Sequence, residues 1–126
     1  MPKKELPAGI QPTSLPYSPV VQIGNHFHFS GVVPDLDEKR NPVSDSVTEQ
    51  AKQVLRKMKE LLEQCGLTYD DLFSVTIMLT NMSDYGDVNT GYAAALVDVK
   101  VMPRRAAYAV TGLPFETLAE TFVHPA

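Results

Sequence analysis

The longest regular pattern in the chain runs from Ser46 to Cys65. Val47, Ala51, Val54, Leu55, Met58, Leu61, Leu62 and Cys65 recur at i, i+4, i+7, i+8, i+11, i+14, i+15 and i+18, one continuous stripe at the helical period. Ser46 followed by Glu49 reads as a capping box, and Gly66 stands where a left-handed residue ends a helix. The stretch "LFSVTIMLT" alternates instead, with Phe73, Val75, Ile77 and Leu79 on one face and Ser74, Thr76, Met78 and Thr80 on the other. That spacing predicts a strand with one apolar face. Earlier, "VVQIGNHFHFSG" predicts a hairpin about Gly24-Asn25, both of which tolerate positive φ. Its second strand turns Phe27 and Phe29 one way and His26, His28 and Ser30 the other. A second helix is predicted from about Asp84 to Val99 through Tyr85, Val88, Tyr92, Leu96 and Val99, weakened by Gly86 and Gly91. Two strands follow, Arg105 to Thr111 and Thr117 to Val123, separated by Gly112-Leu113-Pro114.

The order β-β-α-β-α-β-β predicts one α+β domain over residues 1–126, a sheet with two helices packed on one face. No third helix is available for the other face, which carries Thr76, Met78 and alternate residues of the last strands. Monomers seldom expose a semi-apolar sheet of this kind, so oligomerisation through the sheet is expected, around a symmetry axis.

Composition narrows the partners. With 15 acidic and 11 basic residues the net charge is -4, without the electrostatic footprint of a nucleic-acid or anionic-membrane binder. No window approaches the roughly 18 apolar residues of a membrane span. The first 19 residues carry five prolines and read as an extended arm rather than a secretory signal. The single cysteine, Cys65, excludes an intrachain disulfide and makes the cytoplasm the simpler setting.

The candidate chemistry lies near the C-terminus. "MPRRAAYAVTGLPFETLAETF" begins an apolar strand with Arg104 and Arg105, which are either surface cations that solubilise a strand end or include one that points inward to hold an anion. Alternation puts Arg105, Ala107, Ala109 and Thr111 on one face and Arg104 on the other. Glu120 sits between Leu118 and Phe122 at i-2 and i+2. It is either an edge residue reaching water or a partly desolvated carboxylate with a raised pKa, suited to proton transfer. His26 and His28 share a strand face, but no third ligand is evident, since His124 lies at the end of the chain; no metal site is expected. Cys65 closes the apolar stripe as a core residue, and "RKMKE" reads as a solvated helix face.

The segments "PYSPVVQIGNHFHFSGVVP", "NMSDYGDVNTGY", "MPRRAAYAV" and "GLPFETLAE" match in order and spacing those of the RidA/YjgF family of reactive-intermediate (enamine and imine) deaminases. The resemblance covers essentially the whole chain. Pro-Tyr, Ser-Gly, Asp-x-x-x-Val-Asn, Pro-x-Arg and Leu-Pro-x5-Glu are specific in combination. It implies a chorismate-mutase-like mixed α+β fold, a homotrimer, and three sites in clefts between subunits. It assigns Arg105 as the carboxylate anchor and Glu120 as the residue that positions or activates water. Tyr17, Ser30, Gly31 and Asn89 match further pocket positions; Tyr17 has the plainer alternative of capping the hairpin. Ala107 replaces a frequent cysteine but keeps the backbone amide. The chain also departs from the family pattern at Phe122, where a glutamate is often found, at Arg104, an added charge, and before Met102, where a segment is one residue shorter and lacks paired phenylalanines. Those departures bear on substrate preference.

The implied reaction hydrolyses 2-iminobutyrate or 2-iminopropionate, derived from 2-aminocrotonate or 2-aminoacrylate, to a 2-oxo acid and ammonia, with no metal or organic cofactor. The resemblance also leaves a second function class open, a non-catalytic trimer that binds small carboxylates or protein partners.

Overall fold

The computed structural model describes residues 3–114 and 119–125, with side chains as far as Pro114. Strands β1 (Val20–Ile23) and β2 (His26–Phe29) form the hairpin. Helix α1 (Val47–Gln64), strand β3 (Leu72–Leu79), helix α2 (Tyr85–Ala95) and strands β4 (Arg104–Ala109) and β5 (Ala119–Pro125) follow in the expected order. Short 3-10 turns at Tyr69–Asp71 and Met82–Asp84 precede β3 and α2. The ladders divide in two where the pattern suggested one sheet: β1 pairs antiparallel with β2, and β4-β3-β5 form a mixed sheet. In it β4 runs parallel to β3, through the α2 crossover, and β5 antiparallel. β2 runs close beside β5. Among the described residues no helix is long and apolar enough to cross a membrane.

Helix α1 ends where its signals place it, by partly different bonds. Ser46 is the N-cap, its Oγ accepting from the Glu49 N–H at 3.2 Å. The return half of the capping box is absent: the Ser46 N–H donates to Ser44 Oγ, and the Glu49 carboxylate lies 3.5 Å from Lys52 Nζ. At the other end Gly66 has φ 75°, its N–H donates to the Glu63 carbonyl, and the Leu67 N–H donates to the Leu62 carbonyl. This is a Schellman closure. The stripe Val47, Ala51, Val54, Leu55, Met58 and Leu62 is buried against Val20, Phe29, Val75, Ile77, Leu79, Val88 and Leu96. Fully burying each large aliphatic among them contributes roughly 1.5–3 kcal/mol. The outer face is solvated at Arg56, Lys59 and Glu60 as its sequence suggests, while Lys57 is half-buried with its Nζ donating to the Val33 carbonyl at 2.8 Å, and exposed Arg56 pairs with Asp35.

Four local expectations change. Of the hairpin turn residues only Gly24 takes a positive φ (58°), as the first central residue of a type II′ turn does, so Asn25 needs no special conformation. The β3–β5 register shifts between Leu72 and Ser74, leaving Phe73 as an extra, bulged residue. Leu72 is therefore buried and Phe73 is 54% exposed, the reverse of simple alternation. Helix α2 stops at Ala95, not Val99, although Val88, Tyr92 and Leu96 are buried as the stripe requires. Strand β4 spans 104–109, where 105–111 was expected; β5 runs to Pro125, and the expected start at Thr117, like Leu118, lies outside the described residues.

Gly91 has a packing role that helix propensity hides. A Cβ there would lie 2.7 Å from the Thr48 carbonyl oxygen and 2.9 Å from Ala51 Cβ, so the missing side chain lets α2 approach α1. Thr48 Oγ1 also donates to the Asp87 carbonyl across the helices, at 3.1 Å. The proline-rich arm runs extended where it pairs Glu5 with Gln22, in two backbone bonds of 2.8 and 2.9 Å, and then drops Ile10 into the core.

Candidate functional site

Register decides which way the two arginines point. β4 aligns Arg104 with Ser74, Arg105 with Val75 and Ala107 with Ile77, and side chains in register on neighbouring strands share a face. Val75 and Ile77 are buried on the helix side. Arg105 and Ala107 accordingly turn inward and are half-buried, while Arg104, Ala106 and Tyr108 lie exposed on the opposite face. The Arg104 guanidinium lies 5.6 Å from the ring centroid of the bulged Phe73. Of the readings left open by the sequence, the inward cation is Arg105.

Helix α2 builds a cradle for that guanidinium. Arg105 Nη2 donates to Asn89 Oδ1 at 2.6 Å and to the Tyr85 hydroxyl oxygen at 2.9 Å. The Tyr92 ring centroid lies 4.8 Å from the guanidinium carbon and that of Tyr85 5.4 Å, both within cation–π range. Tyr85, Asn89 and Tyr92 stand at i, i+4 and i+7, one stripe of α2 laid along β4. Among the described residues no carboxylate pairs with Arg105, so its charge meets neutral oxygens and ring faces. The buried Tyr92 hydroxyl has no hydrogen-bond partner among the described residues. Burial raises its pKa, and the Arg105 charge acts in the opposite direction.

Tyr17, Ser30 and Gly31 gather elsewhere. They line a cavity of about 420 Å³ with Leu15, Lys57 and Gln64, and none of Arg105, Asn89 and Ala107 is among its lining residues. Ser30 Oγ donates to the Ser18 carbonyl at 2.6 Å, which commits its proton and leaves its oxygen as an acceptor. Tyr17 is exposed at the cavity wall. Glu120 is the register partner of Met78, whereas Arg105 is that of Val75, positions of opposite parity on β3. The Glu120 side chain, with those of Phe122 and His124, lies outside the described part. Among the described side chains the expected pocket residues thus form two groups, Arg105 with Asn89 and, two positions along β4, Ala107, and Tyr17 with Ser30 and Gly31.

Cys65 caps α1, half-buried, and burial pushes its thiol up, away from the nucleophilic thiolate. His26 and His28 both stand on the exposed face of β2, and no group of three potential metal ligands comes together among the described residues. Tyr85 and Tyr92 were missed as site residues because the sequence pattern absorbed them into the apolar stripe of α2. The signal was their i, i+4, i+7 relation to Asn89.

Comparison with known proteins agrees with this architecture. Residues 10–123 match the family described as Endoribonuclease L-PSP. The mouse protein named 2-iminobutanoate/2-iminopropanoate deaminase is 34% identical over 99 residues, 79% of this chain and 72% of its own length. A RutC family protein of Pyrococcus abyssi is 31% identical over 105 residues, 83% of this chain and 81% of its own. Among solved structures, that of YyfA from Yersinia pestis, of the conserved Rid protein family, superposes with a TM-score of 0.85 at 26% identity, over 98% of this chain and 99% of that one.

Proposed function

The chain belongs to the RidA/YjgF family, the same group described as Endoribonuclease L-PSP, and from that premise we propose that it hydrolyses 2-imino acids to 2-oxo acids and ammonia as a homotrimer. The observation that carries this reading is Arg105: an inward guanidinium held by Asn89, Tyr85 and Tyr92, with no carboxylate paired to it among the described residues. A cation fixed in this way is poised for the carboxylate of a small acid. In 2-iminobutyrate or 2-iminopropionate that carboxylate is bonded directly to the electrophilic C=N carbon. Anchoring it fixes the carbon beside a water and lowers the entropic part of the barrier.

Glu120 is proposed as the proton carrier. Water adds to the C=N carbon of the protonated imine as the carboxylate takes a proton from it, giving a tetrahedral amino alcohol. That proton then passes to nitrogen, and as the C–N bond breaks the carboxylate takes the hydroxyl proton, so that the carbonyl forms and ammonia leaves. Ala107 offers a backbone amide where the family often has cysteine, and this sequence of steps needs no thiol, metal or organic cofactor. The separation of Tyr17, Ser30 and Gly31 from Arg105 and Asn89 supports a pocket completed by a second subunit. The -4 net charge supports a small anion held at one local cation, rather than nucleic acid, as the main ligand. A reducing compartment, the cytoplasm, suits the single cysteine.

The test couples a threonine or serine dehydratase to the protein and follows imine loss in a buffer without competing amines. Accelerated loss is expected, with Glu120→Gln retaining 2-oxobutyrate binding while lowering kcat. No acceleration, with 2-oxobutyrate binding intact, would leave a trimeric carboxylate binder as the function.

A further inference from the structure

The bonds of Arg105 are spent unevenly. A planar guanidinium presents paired, parallel N–H groups along two edges, Nε–H with Nη2–H and Nη1–H with Nη2–H, and a carboxylate bound by both oxygens needs one of them. Both edges use Nη2, and Nη2 donates to both Asn89 Oδ1 and the Tyr85 oxygen. Among the described residues, a carboxylate approaching either edge therefore finds one N–H without an acceptor and one already engaged. One of the two neutral acceptors has to yield before the acid is held by two bonds.

The surroundings identify which one. Asn89 accepts at 2.6 Å from the second turn of α2, in a part-buried contact. Tyr85 accepts at 2.9 Å from the first residue of the same helix and is 39% exposed, so its phenol has room to leave toward solvent. We infer that the Tyr85 hydroxyl occupies the place of the second carboxylate oxygen on Arg105, which makes Tyr85 a positioning residue that sets how tightly, and which, small acids are held. This rests on the role of Arg105 proposed above and adds a residue to it. Tyr85 keeps the guanidinium oriented and hydrogen-bonded while the site is empty, and every carboxylate that binds by two oxygens has to displace it. An acid able to make that exchange is selected over neutral analogues, which recover nothing for the lost bond.

Tyr85→Phe isolates the hydroxyl, because the ring and its contact with the guanidinium remain while the oxygen is gone. The experiment measures by calorimetry the affinities of 2-oxobutyrate and of its uncharged amide for the wild type, Tyr85→Phe, Arg105→Ala and the double variant. Its expected result is that Tyr85→Phe tightens 2-oxobutyrate about tenfold, the scale of one hydrogen bond to a charged group, and leaves the amide unchanged. That gain vanishes in the double variant. In steady-state imine hydrolysis Tyr85→Phe lowers KM by the same factor with kcat kept. An equal gain for the amide would indicate a loosened pocket and overturn the inference, as would unchanged or weaker 2-oxobutyrate binding. The two levels separate cleanly: Arg105-dependent binding in the wild type without tightening in Tyr85→Phe sinks only the role of Tyr85. Absence of 2-oxo acid binding in both proteins sinks the anchoring role of Arg105 and this inference with it.

Discussion

Consecutive guanidiniums on β4 meet different surroundings: Arg104 lies over the exposed Phe73 ring, and Arg105 is enclosed by α2. Saturating 2-oxobutyrate is expected to stabilise the wild type by RT ln(1 + [L]/Kd), about 2.7 kcal/mol at a hundredfold excess over Kd. Arg105→Ala erases the accompanying rise in Tm, and Arg105→Lys restores little of it, because an ammonium lacks the planar fork. Arg104→Ala keeps the rise; thermal shift on the four proteins, with and without ligand, checks this and shows the β4 register to be misread if the two alanine variants behave the other way round. Tyr69 makes a prediction in pH. Burial, assisted by the Glu63 charge, pushes its phenol up to about 12 from 10.0, and its hydroxyl donates to the Leu55 carbonyl. With the folded pKa raised, the unfolded chain releases this proton first, so the contribution is intact below pH 10 and declines between about 10 and 12. Urea midpoints across that range should fall with pH, and fall less steeply in Tyr69→Phe, which at neutral pH loses about 1 kcal/mol with the hydrogen bond.

The two glycines of α2 look alike to a helix-propensity scale and are distinguished by the neighbouring helix. At Gly86 a Cβ meets nothing within 4 Å, so Gly86→Ala is expected to stabilise by up to about 1 kcal/mol through reduced backbone entropy. At Gly91 the same change drives a methyl against the Thr48 carbonyl and Ala51, and a net loss of about 1–3 kcal/mol is expected. Urea denaturation of both variants at one protein concentration checks the opposite signs; equal gains would mean that α1 and α2 do not cross at Gly91. For α1, Ser46→Ala should cost about 1 kcal/mol, since the Glu49 N–H loses its side-chain acceptor.

At the scale of the molecule, the open face of the β4-β3-β5 sheet carries Arg104, Ala106 and Tyr108 beside half-buried Thr76 and Met78, and the expected pocket residues lie in two separate groups. The proposed trimer accounts for both, and light scattering across micromolar concentrations should return three times the 13.9 kDa chain mass. A monomer throughout that range would remove the intersubunit pocket. Much of this architecture is written locally. The α1 stripe with its Ser46 and Gly66 ends, the β3 alternation from Val75 to Leu79 and the order of elements follow from periods of 3.6 and 2, which neighbouring residues impose on one another. Alternation placed Arg104 and Arg105 on opposite faces but left open which one turns inward, and the resemblance named Arg105 and Asn89 as pocket positions without their contact; the register with β3 and the α2–β4 crossing decided both. Contacts between distant segments decided the rest. The bulge that exposes Phe73 depends on how β5 aligns with β3, the division into two ladders on how the hairpin meets β5, and the role of Gly91 on where α1 crosses α2. The phenol of Tyr85 is the clearest case. Its spacing marks it as one more residue on the stripe of a helix, and only the α2–β4 crossing turns its oxygen onto Arg105, because a side chain's hydrogen-bond partner is set by the element packed against it.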